Sequence, residues 1–457
     1  EFEVNLEPYP MEPCVAYEEA EPVEWLTDPD GKRIADFGTN LTGVLDGDVN
    51  GRQVFRHGEV LDADGRLYTA NLRSATAEDE VIDGALDPRG TFHGFRYVEV
   101  TGEGSTSNLK ARQLSNSAEL AASFECSHDG LNRLWRNIVQ TQRMNFVEVP
   151  TDCPQRDERL GWTGDAQIFA STSNIVSDSQ AFWRKWLVDL EDAQREDGQL
   201  PMVAPLKVAG DDGGPGWADA GVIVPWETYL AYGDKGVLRD RYDSMGRFVD
   251  FCAGRLKEDG SPPDEFHCFG DWLTLAEPTP NPTIYLAYLA HVSELMMRIS
   301  SLFDKHQDAD RFRALAERMK ARFNELYVAE DGTVANGAQT AQIMALHFNL
   351  VSGDLRTRVQ ERLIESVEKT GHLTTGFLGA RDLLPTLRDA GRLDLAYELL
   401  LRDDYPSWLF PIKHGATSIW ERWNGWTPEN GFADAGMNSF AHYAYGAVGH
   451  FMFQTIG

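Results

Sequence analysis

Near Ser123 the periodicity of this 457-residue chain changes once, and that change restricts the fold more than any single motif does. Before it, short apolar stretches are broken by Asp46-Gly47, Asn50-Gly51 and Asp64-Gly65, and residues 95–100 read as a strand. Strands at this spacing predict an antiparallel sandwich rather than βαβ units. From Asp129 onward the period is helical. Ile284, Tyr285, Tyr288, Val292, Leu295, Met296, Ile299 and Leu302 form one apolar stripe, with Pro282 near its start. Phe312, Leu315, Met319, Phe323 and Leu326 form a second, joined to the first by the polar segment 304–310. Further helical patterns fall around 183–193, 226–232, 237–256, 340–350, 355–367 and 393–401. About ten to twelve helices in succession predict a helical repeat or a closed helical barrel. The expected division is a β-domain over residues 1–123 and a helical domain over residues 124–457.

A formal net charge of −30 repels nucleic-acid phosphates and anionic membrane surfaces, and no Lys/Arg cluster relieves it locally. No apolar run approaches the roughly 18 to 20 residues of a membrane span. Cys14, Cys126, Cys153, Cys252 and Cys268 are odd in number and widely spaced, without zinc-type spacing, so neither a disulfide framework nor a metal site is expected. The odd count favours a cytoplasmic compartment. The start, Glu1-Phe2-Glu3-Val4, lacks an initiator Met and reads as that of a fragment or processed product, which leaves secretion open. Oligomeric state is not legible, and a homo-oligomer is left open.

One short stretch concentrates chemistry. Between Asp152 and Gln167 four carboxylates and two arginines surround Trp162, with Cys153, Pro154, Gly161 and Gly164 among them. Carboxylates held close together do not ionise independently, so such a segment can keep one protonated near neutral pH, as general acid catalysis requires. A solvated loop needs neither an aromatic wall nor glycines that allow close approach. Tryptophan stands beside Asp or Glu at Trp162/Asp165, Trp217/Asp219, Asp271/Trp272 and Trp420-Glu421-Arg422-Trp423. An indole offers a flat face for sugar C–H groups, and a neighbouring carboxylate accepts hydrogen bonds from hydroxyls.

These motifs resemble the bacterial-type α-L-rhamnosidases of glycoside hydrolase family 78. The carriers are residues 149–167, residues 415–423 (Gly-Ala-Thr-Ser-Ile-Trp-Glu-Arg-Trp) and residues 438–444 (Asn-Ser-Phe-Ala-His-Tyr-Ala), together with Arg56-His57-Gly58-Glu59-Val60-Leu61 and Thr91-Phe92-His93-Gly94-Phe95-Arg96-Tyr97 in the β-region. The resemblance implies a mainly α protein, an (α/α)6 barrel preceded by an antiparallel β-sandwich. It implies hydrolysis of terminal α-L-rhamnose from small-molecule or polysaccharide rhamnosides with inversion, and no cofactor or metal. Glu158 would be the general acid and Glu421 the general base. Asp152, Arg156, Trp162, Asp165, Trp217, Trp272 and His442, the last expected near the end of a Ser/Ala-rich helix, would line the sugar pocket. Ser418 and Asn424 stand where the resemblance leads one to expect Thr and Asp, and relatives continue into a C-terminal β-domain beyond the point where this chain stops.

The residues agree with that chemistry without fixing it. Inverting enzymes hold their two carboxyl groups about 6.5 to 9.5 Å apart, retaining ones about 5 to 5.5 Å. Glu158 and Glu421 are distant in sequence, but a closed barrel brings its first and last helix pairs together. Asp165 is the rival proton donor, and Asp157 a weaker one. Rival functions are another helical-barrel carbohydrate enzyme and a glycan-binding protein that has lost catalysis; retention of both glutamates argues against the latter.

Overall fold

A computed structural model of the protein describes residues 8–209 and 213–456; the outermost ends of the two expected domains, residues 1–7 and Gly457, lie outside the described residues. The N-terminal region is a β-sandwich of β1 (Val15–Ala20), β2 (Glu24–Thr27), β3 (Arg33–Gly58), β4 (Val60–Leu61), β5 (Leu67–Tyr68), β6 (Glu78–Leu86), β7 (His93–Thr101) and β8 (Gly104–Ser115). The main sheet runs β1-β8-β3-β2, and β6 and β7 also pair with β3, all antiparallel. Phe37, Leu41, Leu45, Val49, Phe55, Phe95, Val98 and Leu109 fill its core.

One expectation fails here. Asp46-Gly47 and Asn50-Gly51 do not separate short strands but lie inside β3, which runs unbroken for 26 residues. Only Asp64-Gly65 makes a turn, between β4 and β5. The physical reason is close cross-strand approach. A Cβ on Gly43 would stand 2.1 Å from the Arg112 carbonyl, and one on Gly51 2.4 Å from that of Glu103. Glycine inside a strand marks bulges and close packing as readily as turns.

Thirteen α-helices follow among the described residues: α1 (Asp129–Asn145), α2 (Thr163–Val176), α3 (Gln180–Asp192), α4 (Ala220–Tyr232), α5 (Lys235–Gly254), α6 (Asn281–Leu302), α7 (His306–Tyr327), α8 (Gln339–His347), α9 (Gly353–Thr370), α10 (Phe377–Asp389), α11 (Leu393–Leu401), α12 (Leu409–Lys413) and α13 (Val448–Thr455). The helices α2, α4, α6, α8 and α10 touch in that order, α10 returns to α2, and the segment from Ala444 to Thr455 packs on both. With α1, α3, α5, α7, α9 and α11 outside, this is the (α/α)6 barrel. Inner helices are buried nearly all round, as Gln339–His347 shows, whereas outer helix α9 buries only Val359, Leu363 and Val367.

The polar connector expected over residues 304–310 is shorter, because α7 already begins at His306. Within α7 the stripe is Ala309, Phe312, Leu315, Met319 and Phe323; Leu326 is 38% exposed. Inner helix α2 shows no clear stripe, for a helix buried on nearly every side has no polar face to set a period. Phe312→Ala should therefore lower stability by about 3–5 kcal/mol in urea unfolding, while Leu326→Ala changes it by less than about 0.5 kcal/mol.

Candidate active site

Every loop that reaches the mouth of the barrel leads into an inner helix. Together they line a pocket of about 440 Å³ bounded by Asp152, Arg156, Glu158, Trp162, Asp165, Trp217, Phe269, Trp272, Phe377, Glu421, Met437 and His442. All nine side chains expected from sequence stand in it.

The 152–162 loop is closed on itself by Asp152. Its N–H donates to the Leu160 carbonyl (2.9 Å), and its Oδ1 accepts from the Leu160 N–H (2.8 Å). The left-handed backbone at Arg159, φ +56°, helps turn the chain between them. This loop encloses Arg156, whose side chain is 1% exposed. The guanidinium donates from Nε to Glu158 Oε2 (3.0 Å), from Nη1 to Glu421 Oε2 (2.8 Å), and from Nη2 to Glu421 Oε1 (3.2 Å) and Asp152 Oδ2 (3.3 Å). One cation thus joins three carboxyl groups from opposite ends of the helical sequence.

These carboxyls are held differently. Burial pushes the Glu421 pKa up, but the charges of Arg156 and His442 and hydrogen bonds from Arg156 and the Ser439 N–H (2.7 Å) outweigh it and hold the group below its usual value. Burial and the neighbouring Glu158 charge push Asp152 the other way, up to about 7, against the pull of Arg156 and His442. Glu158 accepts from Trp162 Nε1 (2.9 Å) on Oε1, and from Arg73 Nη1 (3.0 Å) as well as Arg156 on Oε2. Asp157 turns away from the pocket toward Arg73 and Ser74.

His442 pairs with Asp165 (Nε2–Oδ1, 3.0 Å), and that contact raises its pKa against the opposing effect of burial. It lies in an extended segment before the final helical turns, not near the end of a helix as expected, because its N–H is committed to the Ile419 carbonyl (2.8 Å). The three tryptophans meet on Phe269, with ring centroids 5.3 Å from Trp162, 5.3 Å from Trp217 and 5.8 Å from Trp272. A Cβ on Gly164 would stand 2.6 Å from the Trp217 ring, so the glycine lets that indole lie against α2.

Not every Trp/acid pair faces the pocket. Asp219 accepts from the Gly216 N–H (2.7 Å), and Asp271 from Thr340 Oγ1 (2.6 Å), Gly376 N–H (2.8 Å) and Leu378 N–H (2.9 Å); both fix loops rather than line the cavity. Trp423 donates to the Thr375 carbonyl and stacks on Tyr445. Ser418 and Asn424 are likewise structural: Ser418 Oγ bonds Asn40 and the Phe440 carbonyl, and Asn424 accepts from Arg422.

Sequence reading missed Phe269, Phe377, Met437 and Arg73. Phe269 and Arg73 had different signals: the first sits beside Asp271-Trp272, whereas nothing local distinguishes Arg73 from other β-domain arginines. Among the described residues two groups have the donor types of a metal site, His57–Asp79–His93 and Asp152–Cys153–Glu158. In the first the imidazoles are stacked, centroids 4.0 Å apart and 22° from parallel, and both Nε2 atoms face the Asp79 carboxylate, at 3.7 Å from His57 and 3.2 Å from His93. In the second the guanidinium of Arg156 already supplies the cation. Cys14, Cys126 and Cys153 are free thiols, and no described helix is long and apolar enough to cross a membrane.

Residues 119–456 match the family described as the bacterial alpha-L-rhamnosidase 6 hairpin glycosidase domain. The chain belongs to the bacterial α-L-rhamnosidase family. Residues 26–117 match that family's concanavalin-like domain. Among curated relatives, an α-L-rhamnosidase of Streptomyces avermitilis is 43% identical over 449 residues, covering 95% of this chain and 43% of the relative. One from Formosa agariphila is 37% identical, covering 88% of this chain and 45% of the relative. This chain spans about half the length of these relatives. The crystal structure of the Streptomyces avermitilis α-L-rhamnosidase complexed with L-rhamnose superposes with a TM-score of 0.94 at 41% identity, over 98% of this chain and 44% of that one. That of the Aspergillus terreus enzyme gives 0.91 at 32% identity, over 98% and 55%.

Burial raises Asp152 and Asp219 to about 7, and Glu59 to about 8. Unfolded, these groups titrate near 4. These three carboxyls therefore hold extra protons in the folded state between about pH 4 and pH 8, and their contribution to stability falls across that window as pH rises. Buried His57, His291 and His450, held down to about 3, 3 and 4, act in the opposite sense up to about pH 6.5. Urea unfolding should therefore show a lower midpoint at about pH 8 than at about pH 6.5, and Asp219→Asn should reduce the difference; a difference unchanged by Asp219→Asn would contradict these assignments.

Proposed function

We propose that the chain is an inverting glycosidase that releases terminal α-L-rhamnose from rhamnosides, with Glu158 as general acid and Glu421 as general base. One observation carries this reading: two carboxyl groups flank a single buried guanidinium at a pocket walled by three tryptophans. Through that planar group their nearest oxygens lie at most roughly 8 Å apart, a bound that admits both the separation of about 6.5–9.5 Å of inverting enzymes and that of about 5–5.5 Å of retaining ones, so the released anomer is the test of inversion. The likeness to a rhamnosidase complexed with L-rhamnose supports the choice of sugar. The proposal takes residues 1–123 as supporting domain and residues 124–457 as catalytic domain.

In this mechanism Glu421 accepts a proton from water as the water attacks the anomeric carbon, while Glu158 delivers its proton to the leaving oxygen on the opposite face. Glu421 suits a base because Arg156 and the Ser439 N–H keep it ionised. Glu158 is at the more exposed edge of the cluster, 12% against 1% for Glu421, where an aglycone enters. Asp152, Arg156, Asp165 and His442 offer polar contacts to ring hydroxyls. The aromatic wall offers apolar contact to the methyl group that replaces a hydroxymethyl in rhamnose.

Asp152 is the rival donor, since its carboxyl stays protonated to about pH 7. Both its oxygens, however, are engaged in holding Leu160, Cys153 and Arg156. Leaving-group kinetics separate the two. Glu158→Gln should lose about 10²–10⁴-fold in kcat on an alkyl α-L-rhamnoside and far less on a dinitrophenyl one, which needs no protonation. Glu421→Gln should lose equally on both. Asp152→Asn showing the leaving-group dependence instead would transfer the acid role.

A further inference from the structure

We propose that Glu59 of the β-sandwich is a positioning residue for the reaction, one carboxyl that holds in register the supports of the general acid and of the general base. This rests on the roles proposed above for Glu158 and Glu421. Glu59 follows directly on β3, 1% exposed, at the junction with the barrel. Its Oε2 accepts two hydrogen bonds of different origin: from Asn71 Nδ2 at 2.9 Å, within the β-domain, and from the Phe440 N–H at 3.1 Å, in the barrel.

Each donor leads to one catalytic carboxyl. Phe440 is next to Ser439, whose N–H donates to Glu421 Oε2 (2.7 Å) and whose carbonyl accepts from the Glu421 N–H (2.9 Å). Asn71 belongs to the short helical turn Ala70–Leu72, which ends at Arg73, and Arg73 donates to Glu158 and Asp157. Moving Glu59 therefore loosens both walls of the site at once, although it touches neither catalytic carboxyl through a hydrogen bond.

Its chemistry suits that task. Burial pushes its pKa up to about 8, against the hydrogen bonds from Phe440 N–H and Asn71 and the charge of Arg156, and the charge of Glu421 adds to the rise. A neutral carboxyl adds no negative charge beside Arg156 and Glu421, the ionised groups that face it. Oε1 is buried and has no hydrogen-bond partner, which leaves it free to carry the proton. A neutral group with one accepting oxygen at this reach is also what glutamine provides.

The test is therefore one of reach against charge, on the intact chain with an aryl α-L-rhamnoside at pH 6.5. Glu59→Gln should keep kcat within about threefold of the unmodified chain, whereas Glu59→Asp and Glu59→Ala, which draw the oxygen back or remove it, should lose on the order of 10²-fold in kcat with little change in KM. Thermal melts establish that each variant is folded; if Glu59→Ala does not fold, the Gln and Asp pair decides. Folded Glu59→Asp with unaltered kcat, or Glu59→Gln as impaired as Glu59→Asp, would overturn the proposal. No turnover by the unmodified chain would instead overturn the function proposed above.

Discussion

The guanidinium of Arg156 is the interaction on which the site depends. Asp152, Glu158 and Glu421 converge within 3.3 Å of it in a place almost closed to water. Without the cation, three carboxyl groups would face one another at low dielectric, and removing one partner of a buried ion pair typically costs about 3–5 kcal/mol. Arginine suits this place where lysine would not, because its planar fork offers separate N–H groups to separate partners. The same cation keeps Glu421 ionised and closes the barrel seam, since Glu421 arrives after twelve of the thirteen helices and Arg156 after one.

The β-sandwich is part of this arrangement rather than an appendage. Gly94 lies so close to Pro154 that a Cβ there would stand 2.6 Å from the proline ring. Arg159 stacks on Phe92 with its guanidinium 4.3 Å from the ring centroid. Arg73 grips Glu158, and Glu59 holds Phe440. Four contacts from three separate β-domain segments thus brace the loop before α2 and the strand-like segment before α13. Motifs that stand apart along the sequence, residues 56–61, 91–97, 149–167 and 438–444, are neighbours in space.

How much of this was legible follows from what each residue leaves in the sequence. Outer helices α7 and α11 declared themselves through period, and inner α6 through its apolar stripe, while α2, buried nearly all round, did not. The long β3 was misread as short strands because glycine serves both turns and close cross-strand approach. All nine expected site residues line one pocket. Yet the bare pairing of Trp with Asp over-reached: Asp219 and Asp271 tie down backbone instead of facing the cavity. Arg73 left no local signal at all, since its role arises only from the packing of two domains.

The most direct measurement is a ¹H NMR time course of aryl α-L-rhamnoside hydrolysis by this chain, recorded before the released sugar mutarotates. The proposed acid and base, on opposite sides of one guanidinium, should release β-L-rhamnose first, with the α anomer growing in only at the rate of mutarotation. First appearance of α-L-rhamnose would mean that one of the two carboxyl groups attacks the sugar directly, and would contradict the arrangement built around Arg156.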